Sequence, residues 1–289
     1  MRVIKREKGG NEYFYLQHSF RNKGKVVTRE VYLGKEVPKN IEEIKQKLET
    51  QSKADIYNKL AKIKKNFQSE WKKLPKSAIE RELKEIAIAF TYNTNAIEGS
   101  AITLEEAREI IEYKIAPHKP LYDIKEAESH AAVFIKMLDR KIPISIPFIL
   151  YWHKEVFGET KHDIAGVFRR YHVRVGDYVA PDWQEVGKLM KQFIVFIRAA
   201  ERIRQHTMNP VELAGRAHYK FEKIHPFGDG NGRIGRLMMN YILWHSGYPM
   251  IIIEYKKRKS YYKALRKNEE QFLKYFLKRY LSVHKRRYT

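Results

Sequence analysis

The strongest constraint on the fold is a glycine-rich run between two apolar segments in the last third of the chain. It reads IHPFGDGNGRIGRLMMNYIL from Ile224 to Leu243. A segment with helical spacing of apolar residues precedes it. Pro226 forces the chain out of helical geometry directly after His225. The run therefore predicts a helix, a tight polar loop, and a second, apolar helix that begins near Gly232.

The residue types in this loop suit chemistry on a phosphate. Glycines let backbone N–H groups converge, and the N-terminus of the following helix adds partial positive charge. Arg233 and Arg236 share one face of that helix, where they mildly oppose the helix dipole and a bound polyphosphate would reverse this effect. Asp229 is the kind of carboxylate that holds Mg²⁺ beside phosphates, and His225 titrates in the range of a general base.

Three other glycine-rich sites do not match the run. An EF-hand needs oxygen ligands at its first, third and fifth positions, and the series Asp229, Asn231, Arg233 fails at the last of these. A Walker loop ends in Gly-Lys-Ser/Thr, which is absent. A dinucleotide fingerprint follows a strand, whereas a helix is predicted here. A glycine-rich turn with a purely structural role stays open as an alternative.

The rest of the chain predicts a mainly α fold with two domains. Residues 1–76 read as a basic β-hairpin, formed by EYFYLQHSF and KVVTREVYLG around the turn RNKG, followed by an amphipathic helix. Residues 77–289 read as helices with short loops, interrupted by one hairpin with Gly176-Asp177 at its turn. Thr103 and Glu106 have the spacing of a capping box, and KSYYKALRKNEEQFLKYFLKRYLSV predicts a single C-terminal helix.

Composition narrows the location and the partners. The chain has no cysteine, which excludes disulfides, zinc–thiolate sites and thiol nucleophiles. It has no apolar run of membrane-spanning length and no visible secretory signal, so we expect a cytoplasmic protein without a membrane partner. The formal net charge of +23 favours anionic partners, and the first eighty residues carry twenty Lys and Arg against ten Asp and Glu. Nucleic acid bound through this basic N-terminal region is one such partner.

The run from His225 to Arg236 resembles the signature of the Fic family, HPFx(D/E)GNGRxxR, at every fixed position. The resemblance extends over about residues 77–270 and implies a helical core that carries one β-hairpin flap. It also implies transfer of AMP from ATP to a hydroxyl of a protein, with Mg²⁺ or Mn²⁺ as cofactor. The related Doc-type kinases have lysine at the position of Gly232, so the resemblance favours an AMP transferase over a kinase.

The resemblance also assigns roles by position within the site. His225 would be the base that deprotonates a Ser, Thr or Tyr hydroxyl, and Asp229 would hold the metal ion. The nucleotide would be bound by loop, helix and adenine-side residues, namely Gly228, Gly230, Asn231, Gly232, Arg233, Arg236, Tyr261 and Asn268.

A second resemblance concerns control of activity. Residues 94–99, TNAIEG, match the family's inhibitory motif (S/T)xxxE(G/N) at the end of a helix predicted over about residues 80–99. In the class with an N-terminal inhibitory helix, the glutamate pairs with the last arginine of the signature, so Glu98 would pair with Arg236. A carboxylate at a helix C-terminus also opposes the dipole, which an arginine partner would offset. Some relatives use this glutamate to remove AMP, so a dual activity is open.

The hairpin at about residues 168–182 resembles the family's flap, which presents a target hydroxyl by strand addition. Its predicted contacts with the target are His172, Val173, Arg174, Val175 and Tyr178. The target is a protein with a hydroxyl side chain, the chain itself included, and a homodimer is open because family members often dimerise. The competing hypothesis is a nucleic-acid-binding regulator that uses the same pocket as a nucleotide sensor.

Overall fold

The computed structural model describes residues 1–22, 25–139, 141–202 and 208–288 and confirms the predicted mainly α class. The helices are α1 Ile41–Trp71, α2 Lys76–Ile97, α3 Leu104–Arg108, α4 Leu121–Asp139, α5 Ile146–Phe157, α6 Val186–Arg202, α7 Pro210–Ile224, α8 Asn231–His245, α9 Arg258–Leu265 and α10 Glu269–Tyr288. A π-helical turn follows α3 at Glu109–Tyr113, and 3-10 turns precede α6 and α9 at Trp183–Glu185 and Tyr255–Lys257. The strands are β1 Arg2–Lys8, β2 Asn11–Asn22, β3 Lys25–Gly34, β4 Arg174–Val175 and β5 Tyr178–Val179. Among the described residues, no helix is both long and apolar enough to cross a lipid bilayer.

The chain divides into two compact units, Met1–Asn58 and Lys59–Thr289. The division falls within α1, whereas the domain boundary predicted after residue 76 falls at the start of α2. That boundary stays a prediction.

The first unit contains a three-stranded antiparallel sheet in the order β1-β2-β3. The predicted hairpin corresponds to β2 and β3, and its turn residues Lys23 and Gly24 lie outside the described part of the chain. Strand β1 was not predicted. It is exposed along almost its whole length, so it lacks the alternation of buried and exposed residues that marks a strand in a sequence. Gly9 and Gly10, both at positive φ, form the turn that joins it to β2.

The second unit is built around α8, which contacts α2, α4, α5 and α7. Residues 231–243 of α8 are all buried, polar ones included. Apolar side chains fill the space around it, as in the contact of Phe90 on α2 with Phe134 on α4, whose ring centres lie 5.0 Å apart. Helix α8 is thus buried on all sides, and the polar loop directly precedes it.

Local signals place most helix ends as predicted, with one exception. The Thr103–Glu106 capping box is present at α3. The C-terminal residues, however, form two helices instead of the single one predicted. Asn268 interrupts the pattern because its Oδ1 accepts a hydrogen bond from Gln271 N at 2.9 Å and so caps α10.

Candidate active site

The loop begins at His225, which ends α7 in the left-handed conformation with φ 50° and ψ 61°. This conformation is uncommon for a residue other than glycine, and it turns the chain sharply away from the helix. Asn231 holds the turn closed, since its amide exchanges two hydrogen bonds with the backbone of Phe227, at 2.8 and 2.9 Å. The amide of Asn231, which the sequence predicts to bind the nucleotide, therefore forms the hydrogen bonds that hold the loop.

The imidazole of His225 is held in one tautomer. Its Nδ1 lies 3.3 Å from the carbonyl oxygen of Glu222, and a carbonyl only accepts, so Nδ1 carries the proton. Nε2 is then the atom with the free electron pair. Burial lowers the pKa of His225 below its ordinary value, with a smaller contribution from the positive charge of Arg169. The ring is consequently neutral at pH 7 and able to accept a proton at Nε2.

Arg169 fastens this turn to the predicted flap, and sequence reasoning did not identify it. Its guanidinium donates to the carbonyl oxygens of His225 at 2.8 Å, Tyr171 at 2.9 Å and Pro181 at 2.6 Å. The residue is only 3% exposed. The sequence FRRYH contains Arg169 and Arg170 side by side, and nothing in it distinguishes the buried arginine from the exposed one.

His153 on α5 contacts the loop through a hydrogen bond and a stacked ring, and sequence reasoning did not identify this role. Its Nδ1 accepts from Gly166 N at 2.9 Å, so its Nε2 donates to the carbonyl oxygen of Asp229 at 3.0 Å. Its ring stacks on Phe227 with centres 3.8 Å apart. Burial lowers the pKa of His153 to about 4, so this ring serves as a neutral structural support.

Two glycines shape the start of α8. Gly230 is its N-cap residue at φ 77°, and a Cβ there would overlap the ring of Phe157. A Cβ at Gly232 would collide with the carboxylate of Glu98. Because a glycine N-cap offers no side-chain acceptor, the N–H groups of the first turn remain directed at the loop. Such a helix start binds anions.

Asp229 lies in a network of alternating charges. Its Oδ1 accepts from Gly230 N at 2.5 Å, while its Oδ2 lies 2.6 Å from Lys161 Nζ and 3.3 Å from Arg233 Nη2. Buried Glu126 closes the network by pairing with both Arg233 and Lys161. Burial alone would raise the pKa of Asp229, but Arg233 and Lys161 outweigh it and hold this pKa below the ordinary value.

A divalent cation fits beside Asp229. The ammonium of Lys161 already occupies a position there, so the site favours a positive charge next to this carboxylate. In the part of the chain that the structure describes, His, Cys, Asp and Glu do not gather in groups of three able to hold a metal ion. A single carboxylate is the donor set of a cation that is bound mainly through phosphate oxygens, as Mg²⁺ commonly is.

Arg236 is fully buried and meets the end of α2. Its Nε donates to Thr94 Oγ1 at 2.7 Å, and its Nη2 donates to Glu98 Oε1 at 2.5 Å. The threonine and the glutamate of the TNAIEG motif thus bind the same guanidinium. Gly99 follows Glu98 with φ 98°, as expected for the residue that ends α2.

Tyr261 and Asn268, the two residues predicted to line the adenine side of the site, differ in their surroundings. The hydroxyl of Tyr261 lies 2.7 Å from His218 Nε2 and 3.4 Å from Arg236 Nη1, which places this tyrosine against the guanidinium. Asn268 is exposed at the cap of α10. Of these two residues, the structure places only Tyr261 in contact with another predicted site residue.

The predicted flap forms the two-residue strands β4 and β5, paired antiparallel. His172, Arg174 and Val175 are exposed, and Val173 is half-buried. Tyr178 is anchored instead of free, since its hydroxyl donates to the carbonyl oxygen of Lys223 at 2.5 Å. This anchor joins the hairpin to α7, next to the turn that holds His225.

Glu222 is a further residue that sequence reasoning missed. It lies one helical turn before His225, and its Oε1 is buried without a hydrogen-bond partner among the described residues. Burial raises its pKa to about 7, with Arg236 opposing and Glu98 adding to this shift.

The helical fold and the glycine-rich loop define a helical domain with a polar loop at its centre, and comparison with known proteins identifies this domain. Residues 143–243 match the family model described as Fic/DOC family. This part of the chain forms a Fic domain.

Curated relatives and solved structures agree with this assignment. Protein adenylyltransferase Fic of Nematostella vectensis is 35% identical over 192 residues, which cover 65% of this chain and 44% of the relative. The protein of the same name from Drosophila melanogaster is 34% identical over 210 residues, covering 70% and 41%. This chain therefore spans less than half the length of these relatives. The structure of Fic-1 from C. elegans has a TM-score of 0.69 at 26% identity and covers 86% of this chain and 76% of its own. A Fic domain containing signaling protein from Bacteroides thetaiotaomicron shares the fold, with a TM-score of 0.67 at 22% identity over 77% of this chain and 94% of its own.

Proposed function

We propose that this chain is a protein adenylyltransferase that transfers AMP from ATP to a Ser, Thr or Tyr hydroxyl of a target protein. The observation that carries the proposal is the imidazole of His225, which is neutral, holds its proton on Nδ1 and leaves Nε2 free at the head of an anion-binding loop. The names of the relatives that match at 34 and 35% identity support the same activity.

The proposed reaction gives each of these groups a role. Nε2 of His225 accepts the proton of the target hydroxyl while the oxygen of that hydroxyl forms a bond to the α-phosphorus of ATP. The bond between this phosphorus and the bridging oxygen breaks, and pyrophosphate leaves. The N–H groups at the start of α8 stabilise the charge on the transferred phosphate. Asp229 would hold the Mg²⁺ or Mn²⁺ ion, which when bound neutralises phosphate charge.

Glu98 is proposed to hold the activity low. It occupies Nη2 of Arg236, which is one of the donors that the outer phosphates of ATP need. Release of Glu98 would free this donor and remove a negative charge from the site. The stimulus would act on the end of α2, where Thr94 holds the same guanidinium.

The flap is proposed to present the target. Its exposed residues His172, Arg174 and Val175 lie on a hairpin that Arg169 and Tyr178 fasten beside His225. A target strand added to this hairpin would bring its hydroxyl to the imidazole in a defined register.

The proposal is tested with ATP labelled at the α-phosphate, incubated with the wild type, Glu98→Gly and Glu98→Gly/His225→Ala. We expect weak labelling of protein by the wild type, at least about tenfold stronger labelling by Glu98→Gly, equivalent to about 1.4 kcal/mol, and none by the double variant. Label that arrives only from ATP labelled at the γ-phosphate would mean kinase chemistry and would contradict the proposal. The homodimer, the nucleic-acid contact, the cytoplasmic location and removal of AMP stay predictions of the sequence.

A further inference from the structure

Lys161 is a charged side chain at the centre of the site that none of the predicted roles uses. It lies in the segment after α5, and its Nζ is 2.6 Å from Asp229 Oδ2 and 2.8 Å from Glu126 Oε1. The ammonium also lies over the ring of Phe157, with Nζ 5.1 Å from the ring centre. Three contacts thus fix the ammonium of a residue type that is usually mobile.

The same contacts occupy the carboxylate that would bind a metal ion. Oδ1 of Asp229 accepts the N–H of Gly230, and Oδ2 faces Lys161. Since the Asp229 side chain is 44% exposed, a cation can reach it from solvent, but it meets an ammonium already in place. A divalent ion and Lys161 would compete for the same oxygen.

The surrounding charges allow Lys161 to move without leaving a buried ion unpaired. Glu126 would keep its pair with Arg233 if Lys161 left Asp229, and Lys161 would keep Glu126 as its partner. Lys161 is 29% exposed, so solvent also reaches the ammonium. Each group retains an opposite charge in both arrangements, which keeps the cost of the exchange small.

We propose that Lys161 is a resident cation that neutralises Asp229 until the divalent ion arrives with the nucleotide and displaces it. Lys161 would then make binding of the metal to the site weaker than the carboxylate alone would allow. A metal ion that brings its own phosphate ligands gains enough to displace the ammonium, whereas a free ion gains less. The inference rests on the proposed function, because it takes the metal–nucleotide to bind at Asp229.

The test measures binding, not turnover. The affinity of a non-hydrolysable ATP analogue for the Glu98→Gly variant of this chain is determined by calorimetry, once with a chelator and once with saturating Mg²⁺. The ratio of the two dissociation constants gives the gain from the metal. The same ratio is measured after adding Lys161→Met, Lys161→Gln, Lys161→Arg or Lys125→Met. Lys125 is the matched control, since it pairs with Glu159 at 3.0 Å on the surface.

Partly exposed ion pairs contribute up to about 1 kcal/mol, so we expect the ratio to rise about three- to fivefold in Lys161→Met and Lys161→Gln. Lys161→Arg and Lys125→Met should keep the ratio of the parent. A ratio in both neutral variants equal to that of Lys125→Met, or below it, would overturn the inference while leaving the proposed function standing. A parent protein that binds no analogue under either condition would overturn both.

Discussion

The guanidinium of Arg236 donates to Glu98 Oε1 at 2.5 Å, although the two residues lie 138 positions apart in the chain. Arg236 is only 1% exposed, and its Nε and Nη2 also bind Thr94, through Oγ1 at 2.7 Å and the carbonyl oxygen at 3.2 Å. The end of α2 thus uses the donors that a bound phosphate would need. Any change that weakens this end of α2 should make Arg236 available.

Thr94→Val should release Arg236 in part. The variant keeps the shape of the side chain but removes the acceptor of the Nε hydrogen bond, which is a bond to a charged group. We expect labelling from α-labelled ATP about three- to tenfold above the wild type and below that of Glu98→Gly.

Thr91→Val is the matched control for this prediction. Thr91 is equally buried on α2, but its hydroxyl faces His130 Nδ1 at 3.0 Å and does not contact Arg236. If Thr94→Val labels protein no more strongly than Thr91→Val, the threonine does not help to restrain Arg236.

Arg169→Lys should lower both activity and stability. A lysine ammonium cannot match the three carbonyl oxygens that the guanidinium bridges, so the flap would lose its fixed position relative to His225. In the Glu98→Gly background we expect at least a tenfold loss of labelling and a melting temperature lower by about 5 °C. Arg170→Lys, at the exposed neighbouring position, should change neither; similar losses in both variants would argue against the bridging role.

The rate of AMP transfer should depend on pH through His225. Because burial lowers the pKa of this imidazole, the base stays unprotonated over more of the acidic range than a free histidine. The rate of Glu98→Gly should therefore be level near pH 7 and fall only below about pH 6.5, the ordinary histidine value. An inflection above that value in the pH–rate profile would show that the imidazole is not buried as described.

Glu222→Gln should stabilise the protein at alkaline but not at acidic pH. The pKa of Glu222 is raised from 4.5 to about 7 in the folded state, so the folded state binds the proton more tightly than the unfolded one. Stability is thus lost as pH rises from 4.5 to about 7, by on the order of 3 kcal/mol at 1.36 kcal/mol per unit of pKa.

Glutamine abolishes this titration, so the gain in the free energy of unfolding should appear at pH 8 and vanish at pH 4. Denaturant unfolding at the two pH values measures it, with exposed Glu105→Gln as the control. An equal effect of Glu222→Gln at both pH values would show that folding does not raise the pKa of this carboxyl.

Local chemistry explains why much of the fold could be predicted. The α7 cap at Asn209, the capping box of Thr103 and Glu106, and the turn at Gly176-Asp177 each involve groups within a few residues of one another. Two features were not predicted, and the reasons are also local. Strand β1 is exposed and has no buried face, and the cap at Asn268 lies inside an otherwise continuous helical pattern. Local patterns also cannot show which of two adjacent arginines is buried, as at Arg169 and Arg170.

The sequence by itself determined the loop from His225 to Arg236, because proline, glycine and a nearby amide set its turn through short-range backbone geometry. Only the tertiary structure decided what surrounds that loop. Glu126 lies on α4, His153 on α5 and Lys161 in the segment after α5. The packing of these segments around α8 determines which groups the three side chains contact. Charge pairs and buried hydrogen bonds between distant segments form only where the folded core brings the segments together, so no periodicity along the chain encodes them.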